Sequence, residues 1–431
     1  MQNIGKYEII RELGRGATSA VYLANDAFAN REVAIKVVRA DALGDSKQGR
    51  RFRKLFLAEA SLAGKISHPH IVSIFDAVSD DQGSYLVMEY VEGGTLEPFT
   101  QPENLLAIDN IVEIIFKCCK ALEYAHRHGI IHRDIKPANI LMTAEADIKI
   151  SDFGAALTVT SETTQVSGIG SPAYMSPEQL QESPLNHQTD IFSLGVMMYQ
   201  LLTGSLPFKA NNNYSMVYQI INVDPSPPSV LRPEIPPAID EIAKKAIEKE
   251  TAKRFQTWDD FALALSDTFD MLQKPEKDVP EAEKFKILRE LEFFRAFPDV
   301  DLWQVLRISN WVRFSAADKV VSEGEVGTAF YVIAAGEAKV TKNEKLLNVL
   351  RVGECFGEMA CLGRRAFQRT ASVVAVAELT LIEIRSESLA QATEGCRHSF
   401  NAAFLDLLVG RLESANTRLS QLLLDRKISI F

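Results

Sequence analysis

The sequence predicts an α+β protein in two unequal parts, and three observations carry that prediction. Residues 7–40 have the apolar–polar alternation of β-strands, with Val33, Ile35 and Val37 on one face. The run from Ile108 to His128 has the periodicity of an amphipathic helix. From Val312 to Ile384, short apolar segments are separated by glycine and charged residues, as in a small β-barrel. We therefore expect a β-rich lobe, a helical lobe, and then a small β-roll with flanking helices.

The domain boundaries follow from a change of composition late in the chain. The charged, proline-bounded stretch from Lys274 to Pro280 is the best linker candidate. We therefore expect a first domain over 1–272, with a small lobe over about 1–91 and a large lobe over about 92–272, a linker over 273–284, and a second domain over 285–431. Helices are further predicted over 50–65, over 281–311, and from Ser386 to about Leu424.

Composition narrows the classes of function. The formal net charge of −10 gives no general case for binding nucleic acid or an anionic membrane. The most apolar segment, Ile191 to Leu202, is shorter than the ~20 residues that a membrane span needs. The first residues do not have the pattern of a secretory signal, and the cysteines do not have the spacing of a zinc site. We expect a cytoplasmic protein with reduced thiols and with neither nucleic acid nor membrane as a partner.

Two motifs in the small lobe suit phosphate binding. Gly14 and Gly16 lie between two strand-like segments, where glycine lets backbone amides approach a phosphate closely. Lys36 then ends an apolar strand, Val33 to Lys36. Glu59, in the predicted helix 50–65, is the candidate carboxylate partner of Lys36.

The run from His132 to Asn139 and the tripeptide Asp152 to Gly154 are much more specific. With the two earlier motifs, they make residues from about 7 to 270 resemble the serine/threonine protein kinase family, in its bacterial style. The resemblance implies a bilobal protein kinase fold that uses ATP and Mg²⁺ (or Mn²⁺). It implies that Asp134 accepts the hydroxyl proton, that Lys136 neutralises the γ-phosphate, and that Asn139 and Asp152 hold the metal.

The resemblance also assigns the nucleotide slot and the segment before the large helices. Lys36 would pair with the phosphates, and the main chain of Glu89 and Val91 would bind adenine. The remaining slot residues would be Leu13, Gly14, Gly16, Val21, Ala34, Met88 and Leu141. Autophosphorylation is expected between Thr160 and Ser171, first at Thr163, Thr164 or Ser167. Structural roles are expected for Asp190, which would brace the catalytic loop, and for Glu178, which would pair with Arg254.

Two glycine-containing segments, 323–340 and 353–373, resemble the cyclic nucleotide-binding domain over about residues 285–425. The resemblance implies that Arg369 meets the cyclic phosphate and that Glu358 accepts a hydrogen bond from the ribose 2′-hydroxyl. Backbone amides of Gly357, Met359, Ala360 and Ala371 and the hydroxyl of Ser372 would complete the site. Thr370 is the type that favours cGMP in eukaryotic relatives, whereas the bacterial context favours cAMP, so both ligands stay open.

The sequence departs from this second pattern in three places. Thr328 and Gln368 replace residues usual in the family, and the segment from Gly363 to Gln368 is longer than common. A ligand-free protein-docking module therefore remains an alternative for the second domain. A pseudokinase scaffold is the alternative for the first, although Lys36, Asp134 and Asp152 are all present.

The end of the chain carries a heptad pattern. Its apolar positions are Leu405, Leu408, Leu412, Ala415, Leu419 and Leu422. We favour packing of this helix on its own barrel or on the first domain, and a homodimer through the helix is the alternative. The function expected from the whole sequence is a protein kinase that phosphorylates serine and threonine in protein substrates and is regulated by cAMP or cGMP.

Overall fold

A computed structural model describes residues 3–16, 19–38, 64, 66–80, 83–144, 147–153, 157–158, 172–272, 279–359 and 368–425. The chain divides into two compact units, Met1–Asp278 and Val279–Phe431. The division falls within the predicted linker. The last residues of that predicted linker, from Glu281 onward, instead begin the first helix of the second unit.

The first unit opens with a six-stranded sheet whose strand order is β1-β2-β3-β4-β6-β5. The strands are β1 Asn3–Ile4, β2 Tyr7–Arg15, β3 Ser19–Asp26, β4 Arg31–Val38, β5 Ile74–Asp80 and β6 Gly83–Glu89. Apolar residues of β4 pack with Tyr7, Ala24 and Val87 in the core of this lobe. The alternation read from the sequence thus places Val33 and Ile35 in this core, and it sends Lys36 to the opposite face of β4.

The rest of the first unit is mostly helical, with two short strand pairs. These are β7 Ile130–Ile131 with β10 Leu157–Thr158, and β8 Ile140–Met142 with β9 Ile148–Ile150. The helices are α1 Ile108–Arg127, α2 Pro177–Leu180, α3 His187–Thr203, α4 Asn213–Asn222, α5 Pro228–Leu231, α6 Pro237–Ala246 and α7 Trp258–Ser266. Helix α3 is buried along most of its length, which explains its continuous apolar sequence. Within the described residues, none of the helices has the length and apolar content to cross a membrane.

The second unit is a β-roll of two four-stranded sheets, ordered β11-β18-β13-β16 and β12-β17-β14-β15. Its strands are β11 Ser309–Phe314, β12 Lys319–Val321, β13 Ala329–Ala335, β14 Ala338–Lys342, β15 Lys345–Leu350, β16 Cys355–Phe356, β17 Ser372–Ala375 and β18 Leu379–Arg385. Its helices are α8 Glu281–Glu290, α9 Asp299–Ile308, α10 Ser386–Gln391 and α11 Glu394–Asp425. The prediction of helix up to residue 311 is wrong at its end, because Ser309 to Trp311 pair with β18.

The heptad pattern lies on α11, and two of its leucines are exposed rather than packed on the barrel. Leu405 and Leu412 are 63 % and 62 % exposed, and Val409 between them is 55 % exposed. Phe404, on another face of the helix, is buried instead. Packing of the seam on its own barrel was therefore the wrong expectation for Leu405 and Leu412.

Candidate functional site

The loop between β7 and β8 carries the run His132 to Asn139, and a buried aspartate of α3 fixes its backbone. The two carboxylate oxygens of Asp190 accept hydrogen bonds from the amides of His132 and Arg133, each at 2.7 Å. Arg133 has a φ of 69°, a left-handed conformation that a non-glycine residue rarely adopts unless its surroundings hold it there. Gln179 donates a further bond to the Arg133 carbonyl at 3.0 Å. Burial raises the pKa of Asp190. The brace expected of Asp190 is confirmed.

Asp134 stands in this loop with two donors on one carboxylate oxygen. Lys136 Nζ donates to Asp134 Oδ2 at 2.7 Å, and Asn139 Nδ2 donates to the same oxygen at 3.0 Å. Asn139 Nδ2 also lies 2.7 Å from the Asp134 carbonyl oxygen. The structure therefore brings together three of the predicted residues. Both side-chain contacts use Oδ2, so Oδ1 is the oxygen to which a substrate hydroxyl could donate.

Lys36 and Asp152 bring the small lobe and the large lobe together at this loop. Lys36 Nζ lies 2.5 Å from Asp152 Oδ1. Burial opposes ionisation of Asp152, but the charge of Lys36 and its hydrogen bond hold the pKa of that carboxyl below its ordinary value. Glu59, the predicted partner of Lys36, lies outside the described residues, and so does Gly154.

Asp152 belongs to a segment that is anchored to the catalytic loop. The amide and the hydroxyl of Ser151 donate to the carbonyl of Asn139 at 2.8 and 3.0 Å. The ring of Phe153 is buried against the ring of His132, with centroids 4.5 Å apart. Residues 132–139 and 151–153 are therefore one packed unit, which fixes the separation of Asn139 from Asp152.

The predicted nucleotide slot lies between β2, β3, β4, β6 and β8. Ala34 is buried, and Leu13, Val21, Met88, Val91 and Leu141 are each half-buried. In the glycine loop, a Cβ on Gly14 would have no neighbour within 4 Å, and a Cβ on Gly16 would meet only the Ser19 carbonyl, at 3.7 Å. The contacts of the described chain thus do not themselves require glycine at these two positions. A phosphate that approaches the backbone closely would require it.

The main-chain amide of Glu89, which the sequence analysis assigned to adenine together with the rest of its backbone, is already hydrogen-bonded. Its amide donates to the Ser73 carbonyl at 2.8 Å, so the carbonyl is the main-chain group that it can present to adenine. Its side chain faces elsewhere, accepting from Lys149 Nζ at 3.1 Å and from the Ser73 amide at 3.2 Å.

The ion pair expected between Glu178 and Arg254 is present and buried. Arg254 Nη1 lies 2.8 Å from Glu178 Oε1, and the Arg254 side chain has no exposed surface. The same guanidinium donates to the Gln188 carbonyl at 2.6 Å. Burial opposes ionisation of Glu178, but the hydrogen bond and charge of Arg254 lower its pKa. This pair ties α2, which contains Glu178, to the rest of the helical lobe.

We expect Arg254→Ala to destabilise the first unit by about 3–5 kcal/mol, because it leaves the Glu178 carboxylate buried without its cation. The measurement is denaturant unfolding of the full chain, followed by a probe in the first unit. Lys253→Ala is the matched control, because its ammonium is exposed and its ion pair among the described residues is with the exposed Glu250. Equal stability of the two variants would contradict this reading of the pair.

In the second unit, Arg369 is drawn into a slot between two glycines. Its guanidinium donates to the Ala329 carbonyl at 2.7 Å and to the Gly357 carbonyl at 3.3 Å. A Cβ on Gly327 would lie 2.6 Å from the guanidinium carbon, and one on Gly357 would lie 2.3 Å from Nη1. Both positions must therefore be glycine for Arg369 to enter the slot. Arg369 Nε is buried and has no hydrogen-bond partner among the described residues.

Glu358 follows directly and is buried, but its partner was missed from the sequence. Arg411, on α11, places Nη1 2.6 Å from Glu358 Oε1. The same arginine donates through Nη2 to the Cys355 carbonyl at 2.5 Å. The pair joins residues 53 apart in the chain, so periodicity could not reveal it. The heptad pattern predicted the helix, but it did not indicate that Arg411 would lie on the face that meets Glu358.

The other predicted residues of the second site surround a large cavity. Its volume is about 1360 Å³, and its lining includes Gly357, Met359, Thr370 and Ala371 together with Glu358, Arg369 and Arg411. Ser372 Oγ already accepts a bond from the Glu323 amide at 2.9 Å. Ala360 lies outside the described residues, as do Thr163, Thr164 and Ser167 of the first unit.

Comparison with known protein families agrees with both resemblances. Residues 7–263 match the protein kinase domain, and residues 311–395 match the cyclic nucleotide-binding domain. The chain belongs to the protein kinase family, and its kinase domain is followed by a cyclic nucleotide-binding domain. The fold class predicted from the sequence is confirmed.

Curated relatives are bacterial. The chain is 36 % identical over 304 residues to the serine/threonine-protein kinase PknB of Mycolicibacterium smegmatis, covering 69 % of this chain and 47 % of that protein. It is also 36 % identical over 296 residues to the serine/threonine-protein kinase PrkC of Bacillus subtilis, covering 68 % of this chain and 44 % of that protein. The chain thus spans less than half the length of these curated relatives.

Proposed function

We propose that this chain is a serine/threonine protein kinase that transfers the γ-phosphate of ATP to hydroxyl groups of protein substrates. The observation that carries the proposal is the arrangement of Asp134 with Lys136 and Asn139 on a loop braced by Asp190. A carboxylate with one oxygen held by two donors and the other available suits the orientation of a hydroxyl. The names of the bacterial relatives support the same activity.

The described side chains divide the work of the reaction among them. ATP supplies the phosphoryl group, and Mg²⁺ or Mn²⁺ supplies charge neutralisation when bound. Asn139 and Asp152 present the oxygens that would hold the metal, and these are the hard ligands that such cations prefer. Asp134 orients the hydroxyl and accepts its proton, while Lys136 lies beside it to balance negative charge. When ATP is bound, Lys36, which now pairs with Asp152, would pair with phosphate oxygens.

We further propose that the second domain binds cAMP or cGMP and that binding changes kinase activity. The support is Arg369, whose buried Nε has no partner among the described residues. Two glycines leave room for its guanidinium, and a singly charged cyclic phosphate fits such a fork. Glu358 lines the same cavity and would accept from the ribose. We expect nucleotide to relieve inhibition, with a coupling free energy of ~1–3 kcal/mol.

A homodimer through α11 is part of the proposal. The exposed stripe of Leu405, Val409 and Leu412 includes two positions of the heptad pattern. A second copy of the same helix would bury it.

A kinase assay on the full chain tests both halves of the proposal. Transfer of labelled phosphate to a generic basic protein or to the chain itself is expected only with ATP and a divalent metal. Adding cAMP or cGMP should change the rate several-fold. Loss of transfer in all conditions would favour the scaffold alternative, and transfer indifferent to both nucleotides would favour a docking module.

Autophosphorylation is expected at Thr163, Thr164 or Ser167. Arg133 provides a cation next to Asp134 with which a phosphate could pair. Mass spectrometry of protein incubated with ATP should find phosphate within 160–171. Asp134→Asn protein, treated in the same way, is the control that separates autophosphorylation from a contaminating kinase. Active protein without phosphate in this segment would contradict the prediction.

A further inference from the structure

Lys149, in the middle of β9, holds the side chain of Glu89 at the end of β6. Its ammonium lies 3.0 Å from Glu89 Oε1 and donates to Oε2 at 3.1 Å. The lysine side chain is 12 % exposed and the glutamate side chain 28 %. Because the pair lies largely out of water and engages both carboxylate oxygens, it restrains the glutamate more firmly than an exposed pair would.

Ser73 closes a ring with the same glutamate. The Glu89 amide donates to the Ser73 carbonyl at 2.8 Å, and the Ser73 amide donates back to Glu89 Oε2 at 3.2 Å. The main-chain nitrogen and the side chain of Glu89 are therefore both held by partners. These contacts restrain the whole residue, including the carbonyl that it can present to adenine.

Strand β9 is itself bonded to the segment 70–73. The Val72 amide donates to the Ile150 carbonyl at 2.9 Å, and the Ile150 amide donates to the His70 carbonyl at 2.8 Å. This segment is thus bonded both to β9 and to the end of β6, and the Lys149 side chain joins those two strands directly. Three stretches of chain that are far apart in sequence meet at one carboxylate.

The direction of the Glu89 carbonyl decides which purine suits the slot. Adenine carries an amino group at C6 that donates a hydrogen bond, whereas guanine carries a carbonyl oxygen there. The Glu89 carbonyl is an acceptor, so it matches adenine and leaves guanine with two opposed acceptors. This rejection of guanine requires that the carbonyl stay in place, because a carbonyl that can turn away no longer faces the guanine oxygen.

We propose that Lys149, acting through Glu89, sets the selectivity of the slot for adenine over guanine nucleotides. The inference rests on the proposed kinase function and on the assignment of the Glu89 carbonyl to adenine. It adds that a side chain outside the predicted slot determines which nucleotide serves as the phosphoryl donor. Lys149 is a positioning residue, since it acts through Glu89.

Binding of ATP and GTP to the full chain with Mg²⁺, measured by calorimetry, tests the selectivity. Wild type should bind ATP at least about 100-fold more tightly than GTP, and Lys149→Met should lower that ratio about tenfold, mainly through weaker ATP binding. Lys149→Arg can still donate to the carboxylate and should restore most of the ratio. Lys244→Met is the matched control, because Lys244 is exposed on α6 and is not a slot residue.

Glu89→Gln reaches the same contact from its other side. The amide oxygen can still accept from the Ser73 amide, but the charge that pairs with Lys149 is gone. The ratio of affinities should fall in the same direction, and adding Lys149→Met should lower it little further, because both changes remove one interaction. In kinase assays of Lys149→Met, the larger change should be a rise of about tenfold in the KM for ATP, with a smaller change in kcat.

An unchanged ratio of ATP to GTP affinity in Lys149→Met would overturn the inference. Equal weakening of both nucleotides would also overturn it, because that result indicates a general loosening of the lobe. If wild type binds ATP selectively but transfers phosphate from neither nucleotide, the proposed kinase function fails and the binding ratios still decide the role of Lys149. If wild type transfers phosphate but binds ATP and GTP alike, the kinase function stands and this inference fails.

Discussion

Asp134→Asn is expected to lower the rate of phosphoryl transfer at least about 10³-fold while ATP binding is retained. The amide is neutral and cannot accept the hydroxyl proton. Its carbonyl oxygen can still accept from Lys136 and Asn139, as Oδ2 now does, and the NH₂ group then takes the place of Oδ1, where the hydroxyl would have donated. The backbone of the loop should hold, because the bonds from His132 and Arg133 go to Asp190. The measurements are the single-turnover rate and the affinity for ATP.

Asp260→Asn is the matched control for this substitution. Asp260 is exposed on α7, outside the slot and the catalytic loop, so its conversion to an amide should leave transfer unchanged. Turnover of Asp134→Asn within tenfold of wild type would rule out the role proposed for Asp134. Loss of ATP binding in the same variant would show instead that the substitution had disturbed the fold of the loop.

Arg369→Ala is expected to weaken binding of cAMP and cGMP by about 100-fold or more and to remove their effect on transfer. A guanidinium supplies parallel charge-assisted bonds to a phosphate, and each such bond is worth about 1.5–3 kcal/mol. Calorimetry on the full chain measures the affinity directly. Arg351→Ala is the control, because Arg351 is exposed on the same unit and, within the part of the chain that the structure describes, its ion pair is with the exposed Glu337.

Gly327→Ala tests the same site without removing the arginine. A Cβ there would lie 2.6 Å from the Arg369 guanidinium carbon, so the side chain must leave its slot. Thermal unfolding of both variants should stay close to wild type if the loss is one of ligand contacts. Retained nucleotide affinity in Arg369→Ala would end the assignment of this residue to the phosphate.

The sequence predicted the parts of the molecule that depend on local patterns. The periodicity of α1 gave that helix almost to its observed ends, and the alternation in β4 gave the side of the strand on which Val33 and Ile35 join the core. The motif at 132–139 indicated which side chains would meet, because the spacing within a short loop limits how far apart they can lie. The pairing of Glu178 with Arg254, 76 residues apart, came from the family resemblance, since no local pattern carries it.

The contacts that escaped prediction join distant segments through single side chains. Arg411 meets Glu358, and the Glu89 amide is engaged by Ser73, and neither contact follows from a repeat or a spacing. For the exposed stripe on α11, a local pattern was present in the sequence, but the surface that covers it could not be predicted. A heptad pattern predicts that a helix has an apolar seam, but it does not say which surface will cover that seam.

The Lys36–Asp152 pair bears on how an inactive form of this protein should be chosen. Replacing Lys36 would remove a phosphate contact and also leave Asp152, a candidate metal ligand, without the cation that now balances it. Such a variant would lose the phosphate contact and the ion pair together. A low activity could then come either from the missing phosphate contact or from a rearranged cleft. Asp134→Asn leaves that ion pair intact. It is therefore the better inactive variant for experiments on functions of the chain that do not require phosphoryl transfer.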